Sequence, residues 1–182
     1  SGGSTGAEGP IVQIGAAIAS GFGQFFHLAR QQMPIVIGCG EDDLYARAFS
    51  TRLALLGIVS MHHVDPLLLA ANVEAAEARD VLLVFSEHGK QTVLNQVSRQ
   101  FRDQGARIIS ISRHTANPLR AHAHLSLLVS AHDERSHVEP LLYQSALQHL
   151  LDLIYVQLCE EGTDRLERLQ ANLERIQHLL EP

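Results

Sequence analysis

The sequence predicts an α/β fold: a three-layer α/β/α sandwich around a five-stranded parallel sheet in the flavodoxin-like order. First, short runs rich in Val, Ile and Leu alternate with helical segments along the chain. Second, the repeat of about 20 to 30 residues is typical of βαβ units, in which helices cover both faces of the sheet. Third, 46% of the 182 residues are hydrophobic, which is enough for one domain with a buried core.

The predicted strands are five short apolar runs, and Val81–Phe85 is the clearest of them. In chain order they cover residues 35–37, 58–62, 81–85, 107–112 and 125–129. Strands of a parallel sheet are buried on both faces, which explains why Val81–Phe85 is apolar throughout and does not alternate.

The predicted helices fill the intervals between these strands, and their apolar residues recur at helical spacing. They cover residues 11–31, 41–56, 66–78, about 93–105, a short turn from 117, 138–160 with Gly162 ending it, and a last helix from 163. We expect the inward-facing residues to be Leu44, Ala48, Leu53 and Leu56 in the second helix, and Val93, Val97 and Phe101 in the fourth.

The charge balance excludes some classes of function. Fourteen Lys and Arg stand against 20 Asp and Glu, so the net charge is −6, whereas nucleic-acid-binding domains usually carry a basic face. No run approaches 18 apolar residues and no signal peptide is visible, so we expect a cytoplasmic protein with no membrane segment. Cys39 and Cys159 do not form a disulfide framework.

Two loops follow predicted strands at the sheet edge where ligands of such folds bind. One is residues 38–42, and the other is residues 86–92, which contains Lys90, the only lysine of the chain. A serine at the strand end, a glycine three residues later and polar residues opening a helix form the layout of a phosphate cradle. A plain strand-to-helix turn with capping residues explains the same layout equally well.

The order of several short motifs resembles a sugar isomerase (SIS) domain, in particular the effector-sensing domain of RpiR-type bacterial transcription regulators. The motifs are Gly38-Cys-Gly40, Asp65-Pro66, Asp80-Val-Leu-Leu-Val-Phe-Ser86, Gly105-Ala-Arg-Ile-Ile109 and Asn117-Pro-Leu119, within Ile35 to Gly162. The resemblance implies a domain that binds a phosphorylated sugar or a related metabolite, commonly as a homodimer or tetramer, without a cofactor.

The family's two phosphate-binding motifs are only partly kept. In Gly-x-Gly-x-Ser after the first strand, Asp42 stands where the family has serine. In Ser-x-Ser-Gly-x-Ser/Thr after the third strand, His88 replaces the middle serine and Gln91 replaces the last hydroxyl residue, with Thr92 next to it. The ligand-binding residues that the resemblance implies are Gly38, Gly40, Asp42, Ser86, His88, Gly89, Lys90, Gln91 and Thr92.

The substitution at Asp42 leaves two interpretations open, because an ionised carboxylate repels phosphate by about 4 kcal/mol at 4 Å and an effective dielectric of 20. The pocket still takes a sugar phosphate through Ser86, Lys90, Gln91 and Thr92, with Asp42 turned to the sugar hydroxyls. Alternatively, the site has changed to a neutral or cationic ligand, or has been lost.

Catalysis and metal binding are weaker hypotheses. A sugar-phosphate isomerase needs a base that moves a proton between adjacent carbons, for which Glu87, His88 and Glu139 are candidates. RpiR-type sensors need no base, so we favour binding, with a stand-alone isomerase as the alternative. The 11 histidines show no metal-binding spacing, and no metal site is predicted. His124 stands where the family commonly has aspartate.

We expect three parts: residues 1–10, with the composition of a linker or cloning scar; residues 11–162, the SIS-like domain; and residues 163–182, a C-terminal helix. That helix carries apolar residues at steps of three and four, namely Leu166, Leu169, Leu173, Ile176 and Leu180. They form either a dimer seam or a face packed on the chain's own body. We also expect the chain to be a fragment of a longer regulator whose helix-turn-helix domain binds DNA.

Overall fold

The structure, a computed structural model, describes residues 34–160 and 163–181. The expected linker 1–10, the helix predicted over 11–31 and Gly162 lie outside the described residues. The elements in chain order are β1 (Ile35–Ile37), α1 (Glu41–Leu55), β2 (Met61–His62), α2 (Pro66–Ala75), β3 (Val81–Phe85), α3 (Thr92–Asp103), β4 (Arg107–Arg113), a short 3-10 helix (Pro118–Ala121), β5 (Leu125–Val129), α4 (Glu139–Glu160) and α5 (Thr163–Leu180).

The five strands form one parallel sheet in the order β2-β1-β3-β4-β5. This confirms the predicted fold class and the flavodoxin-like order. The sequence overestimates β2, because only Met61 and His62 of the predicted run 58–62 pair with β1. The order reverses between β1 and β3, so the loops after these two strands lie side by side at one edge.

Alternate side chains of each strand enter two separate cores, one on each face of the sheet. Val36 and Phe85 pack on one face against α1 and α4, and Leu169 of α5 packs against the same core. Ile37 and Val84 pack on the other face against α2 and α3. The sheet is therefore the middle layer of three.

In two helices only part of the expected inward-facing stripe is buried: Leu53, Leu56, Val97 and Phe101 are buried as predicted, whereas Ala48 is exposed. In α1 the buried residues are Asp42, Ala46, Phe49 and Leu53, whereas Leu44 is 66% exposed. In α3 the buried residues are Leu94, Val97, Ser98 and Phe101, whereas Val93 is 52% exposed. Each buried stripe includes a polar residue that a search for apolar periodicity passes over.

His124 links the last two strands at the start of β5. Its backbone N–H donates to the carbonyl of Ile108 at 2.8 Å, and its ring Nδ1 accepts from the Ile108 N–H at 3.0 Å. Desolvation of the ring, followed by the charges of Arg102 and Arg107, lowers the pKa of His124 below its usual value.

Candidate functional site

The loops after β1 and β3 contact each other directly at the carboxyl edge of the sheet. The Oδ2 atom of Asp42, in the first turn of α1, accepts a hydrogen bond of 2.8 Å from the backbone N–H of Glu87. Because α1 begins at Glu41 and α3 begins at Thr92, the amino ends of both helices face the same region. The structure thus brings together the two loops that the sequence selects.

Ser86 organises the second loop from inside. Its side chain is fully buried, and its Oγ accepts from the Gly89 N–H at 3.0 Å while it donates to the Oε1 atom of Gln91. Asn95 of α3 holds the other side of the loop, because its Nδ2 donates to the carbonyls of Gly89 and Gln91 at 3.0 and 2.9 Å. Hydrogen bonds of Ser86 and Asn95 therefore fix the loop backbone.

Gly89 is required at its position for two reasons. Its φ of 61° lies in the left-handed region that L side chains avoid. A Cβ atom there would also lie 2.3 Å from Oδ1 of Asn117, the residue that precedes the 3-10 helix. The loop and Asn117 therefore pack against each other without space for a side chain.

The outer surface of the same loop offers cationic and hydrogen-bonding groups. The His88 side chain is 60% exposed, and Lys90 and Thr92 are also exposed. Within the described part of the chain, Lys90 makes no hydrogen bond or ion pair. Gln91 occupies the N-cap of α3 without a side-chain capping bond, which leaves the first-turn amides of the helix open. The partial positive charge of the helix end adds to that of Lys90.

Close backbone packing explains the glycines of the first loop. A Cβ atom on Gly38 would lie 2.7 Å from the backbone nitrogen of Asp43, so a glycine lets β1 meet the start of α1. Gly40 forms the N-cap of α1 at a φ of 66°. The two glycines of the predicted motif therefore fix the entry of the chain into α1.

Each of the three acidic residues 41–43 accepts a hydrogen bond from another part of the protein. Glu41 accepts from Nε2 of Gln144 at 2.6 Å, and Asp43 accepts from Nε2 of His62 at 2.8 Å. Asp42 is buried, and burial, more than any nearby charge, raises its pKa above the usual value. Its carboxylate connects the two loops by accepting the hydrogen bond from the Glu87 N–H.

A buried arginine lies behind this edge, and sequence reasoning missed it. Arg113 is the last residue of β4, and its guanidinium pairs with Glu87 of the second loop and with Oε1 of Glu139, the first residue of α4, at 2.6 Å. It also lies over the ring of the buried Tyr143, 5.3 Å from the ring centre. An arginine directly after the apolar and small residues 108–112 is the signal that could have pointed to it.

The weaker catalytic candidates lie around Arg113, whose guanidinium pairs with both Glu87 and Glu139. Glu139 is engaged by Arg113, and its Oε1 lies 3.6 Å from Nδ1 of His132. His88 Nε2 lies 3.9 Å from Oε1 of Glu87. These groups can orient a ligand and accept hydrogen bonds from it.

Metal-binding clusters and membrane-spanning helices are both absent from the described residues. In ranges 34–160 and 163–181, no three His, Cys, Asp or Glu side chains are arranged to hold a metal ion. None of the helices described there has the length and apolar character needed to cross a membrane.

Two family models match the sequence. The SIS domain model matches residues 27–155, which include the whole sheet. A voltage-gated chloride channel model matches residues 1–41, less than a quarter of the chain. Of residues 1–41 the structure describes 34–41, which form β1, the loop after it and the first residue of α1.

Individual relatives support the first match. The chain is 26% identical over 144 residues to the uncharacterized HTH-type transcriptional regulator YfhH of Escherichia coli K12, covering 79% of this chain and 49% of the relative. The chain thus spans about half the length of that curated relative.

Solved structures share the fold at low sequence identity. The NanR protein of Vibrio vulnificus, complexed with ManNAc-6P, superposes with a TM-score of 0.72 at 16% identity over 96% of this chain and 72% of that one. The sugar isomerase domain of an RpiR transcription factor from Sphaerobacter thermophilus gives 0.67 at 16% identity over 86% and 84%. Because the family model covers most of the chain and these folds agree with it, the chain belongs to the SIS domain family.

Proposed function

We propose that this chain is the ligand-sensing domain of a bacterial transcriptional regulator and that it binds a phosphorylated sugar where β1 and β3 end. The observation that carries the proposal is the second loop, whose backbone is fixed from inside by Ser86 and Asn95 while Lys90 and His88 face outward. A loop held this way before binding loses little conformational entropy when a ligand arrives.

The phosphate would lie against the amino end of α3. The open first-turn amides, Lys90 and the hydroxyl of Thr92 are suitable donors, and the exposed His88 adds another. Ser86, Gly89 and Gln91 would act through the backbone shape they impose, since Ser86 and Gln91 bond to each other. Gly38 and Gly40 would place the first loop beside the sugar.

The acidic residues 41–43 are compatible with a bound anion because their carboxylates are engaged by other parts of the protein. Glu41, Asp42 and Asp43 each accept a hydrogen bond from a neighbouring element. The Oδ2 atom of Asp42 is engaged by the Glu87 N–H, and the side chain is buried. We therefore favour the phosphosugar over a neutral or cationic ligand.

We further propose that the domain works as a homodimer or tetramer within a longer regulator. The similarity to an HTH-type regulator, of which the match covers only 49%, supports a DNA-binding domain outside these 182 residues. The apolar residues of α5, especially Leu173 and Ile176, remain exposed at 45% and 40% and offer a surface to a second copy.

A thermal-shift panel tests the binding. ManNAc-6P, other sugar phosphates and the matching unphosphorylated sugars would be compared, since a ligand at 100 times its Kd stabilises a protein by about 2.7 kcal/mol. We expect stabilisation by at least one phosphosugar and none by its unphosphorylated form. No shift with any phosphosugar would contradict the proposal, and conversion of an aldose phosphate to its ketose during the incubation would favour the isomerase instead.

Matched variants assign the binding to the second loop. Lys90→Ala should weaken phosphosugar binding by about tenfold, the value for one charged hydrogen bond. Arg99→Ala removes the same charge from an exposed position of α3 and should leave binding unchanged. Equal effects of the two variants would show that general charge, rather than the loop, governs affinity.

A further inference from the structure

The guanidinium of Arg113 connects the proposed binding loop to α4. Its Nη2 bonds to Oε1 of Glu87, and its Nη1 bonds to Oε1 of Glu139. Its backbone N–H donates to the Glu87 carbonyl at 2.9 Å. One side chain therefore bridges the loop after β3 and the first residue of a 22-residue helix.

The guanidinium at the centre of this bridge is buried, whereas the side chains of Glu87 and Glu139 are 22% and 32% exposed. The Arg113 side chain is only 8% exposed, and a buried guanidinium is costly unless carboxylates pair with it. Its Nε atom is buried without a hydrogen-bond partner within the described residues. If the hold on Glu87 weakens, Glu139 is the carboxylate already in place to take up the charge.

Glu87 is the end that a ligand would affect. Its Oε1 is engaged by Arg113, whereas its Oε2 has no hydrogen bond to any described residue. The side chain is 22% exposed and belongs to the same loop as His88 and Lys90. A sugar hydroxyl can donate to that free oxygen, and a phosphate nearby repels the carboxylate.

We propose that Arg113 couples occupancy of the binding loop to α4 by sharing its guanidinium between Glu87 and Glu139. The proposal rests on the proposed function for the identity of the occupant, but the coupling is a property of the chain alone. Ligand contact draws Glu87 away, Arg113 pairs more fully with Glu139, and the amino end of α4 changes its position and stability. The outer face of α4 carries the exposed Leu153 and Val156 and can pass the change to a neighbouring subunit.

Amide hydrogen exchange without ligand tests the coupling first. We expect Glu87→Gln to change exchange in the first turns of α4 by about fivefold, and Glu139→Gln to change exchange in loop 86–92 similarly. In an Arg113→Met background each second substitution should have no further effect on the other element. Additive effects with and without Arg113, or changes spread evenly over the sheet, would overturn the proposal.

Two further variants provide a control for the exchange experiment and a substitute for Arg113→Met. Arg79→Met removes an exposed arginine whose partner is the nearby Glu77, and it should alter neither element. If Arg113→Met fails to fold, Arg113→Lys serves instead, because an ammonium retains the charge but lacks the planar fork that bonds two carboxylates at once. The effect of each glutamate substitution on exchange in the other element should then fall by at least half. Unchanged effects would contradict the coupling.

A second arm adds ManNAc-6P at saturation. In the natural sequence we expect protection of loop 86–92 together with a change in α4, and in Glu139→Gln we expect protection of the loop alone. Protection of the loop with α4 unaffected in the natural sequence would contradict the coupling while leaving the proposed function standing. Absence of protection everywhere would count against ManNAc-6P as the ligand, and the ligand-free arm would still decide the coupling.

Discussion

Gly89 and Asp42 show how single residues shape the candidate site. Gly89 lets the loop pass Asn117, and Asp42 ties that loop to the start of α1 through the Glu87 N–H. The resemblance places both among the ligand-binding residues, and the structure gives each a clear local contact. Whether they also touch a ligand remains a prediction.

Gly89→Ala should destabilise the protein by about 3 kcal/mol, because strain at positive φ and a clash with Asn117 add together. Gly40→Ala is the matched control, since Gly40 has a φ of 66° but no atom within 4 Å of the position that a Cβ would take. It should cost only about 1 to 2 kcal/mol. Urea unfolding measures both, and equal losses would contradict the packing of Gly89 on Asn117.

Asp42→Asn should remove a pH-dependent cost of burying a carboxylate. The folded-state pKa is raised above 3.8, so the contribution of Asp42 to stability is present below that value and is lost as pH rises through the raised pKa. The stability of the variant relative to the natural sequence should therefore increase over this window and then level off. Urea unfolding across a pH series tests this, and a difference that falls with rising pH would refute it.

At the scale of elements, the sequence predicts the strands well and the helix faces less well. Most strand residues are apolar, and β3 is continuously so, which predicts burial on both faces of the sheet. In α1 and α3, Asp42 and Ser98 lie on the buried faces while Leu44 and Val93 are exposed. Apolar periodicity cannot detect a buried polar residue whose partner, here the Glu87 amide for Asp42, comes from a distant part of the chain.

His124, which precedes the edge strand β5, should make the folding stability of the protein depend on pH. Its pKa is lowered, so its neutral ring supports stability above the usual value of 6.5, and that support is lost as pH falls through the lowered pKa. His124→Asn keeps an acceptor for the Ile108 N–H without titrating, so it should lose less stability between neutral and mildly acidic pH.

The effect should be small because His124 is exposed, so a matched variant is needed. His149→Asn, on the exposed surface of α4, should follow the natural sequence. Thermal unfolding across the pH range compares the three proteins. A His124→Asn protein as acid-sensitive as the natural one would remove His124 from this role.

At the scale of the whole molecule, the sequence predicts where the site lies better than how it is built. Parallel strands bring loops 38–42 and 86–92 to one edge whatever their residues. The pairing of Arg113 with Glu87 and Glu139 depends on residues from three elements, and no local pattern reveals it. The one lysine, Lys90, is exposed at that edge, and its contact with a ligand stays a prediction.

The exposed residues of α5 predict self-association. Of the seam foreseen from the sequence, Leu169 packs against the chain's own core, while Leu173 and Ile176 remain exposed. Replacing both exposed residues by Ser should shift sedimentation from dimer to monomer and leave the helical content unchanged. Gln170 and Gln177 replaced by Ser form the control, and an unchanged sedimentation of the Leu173 and Ile176 variant would exclude this face as the contact.

The central claim, that a phosphosugar binds at the second loop, is tested most directly by backbone amide NMR during a titration with ManNAc-6P and other sugar phosphates. The account predicts that the largest shifts occur from Glu87 to Val93, with smaller ones over 38–43, and that Lys90→Ala reduces them. Shifts centred on another part of the chain, or none with any phosphosugar, would contradict it.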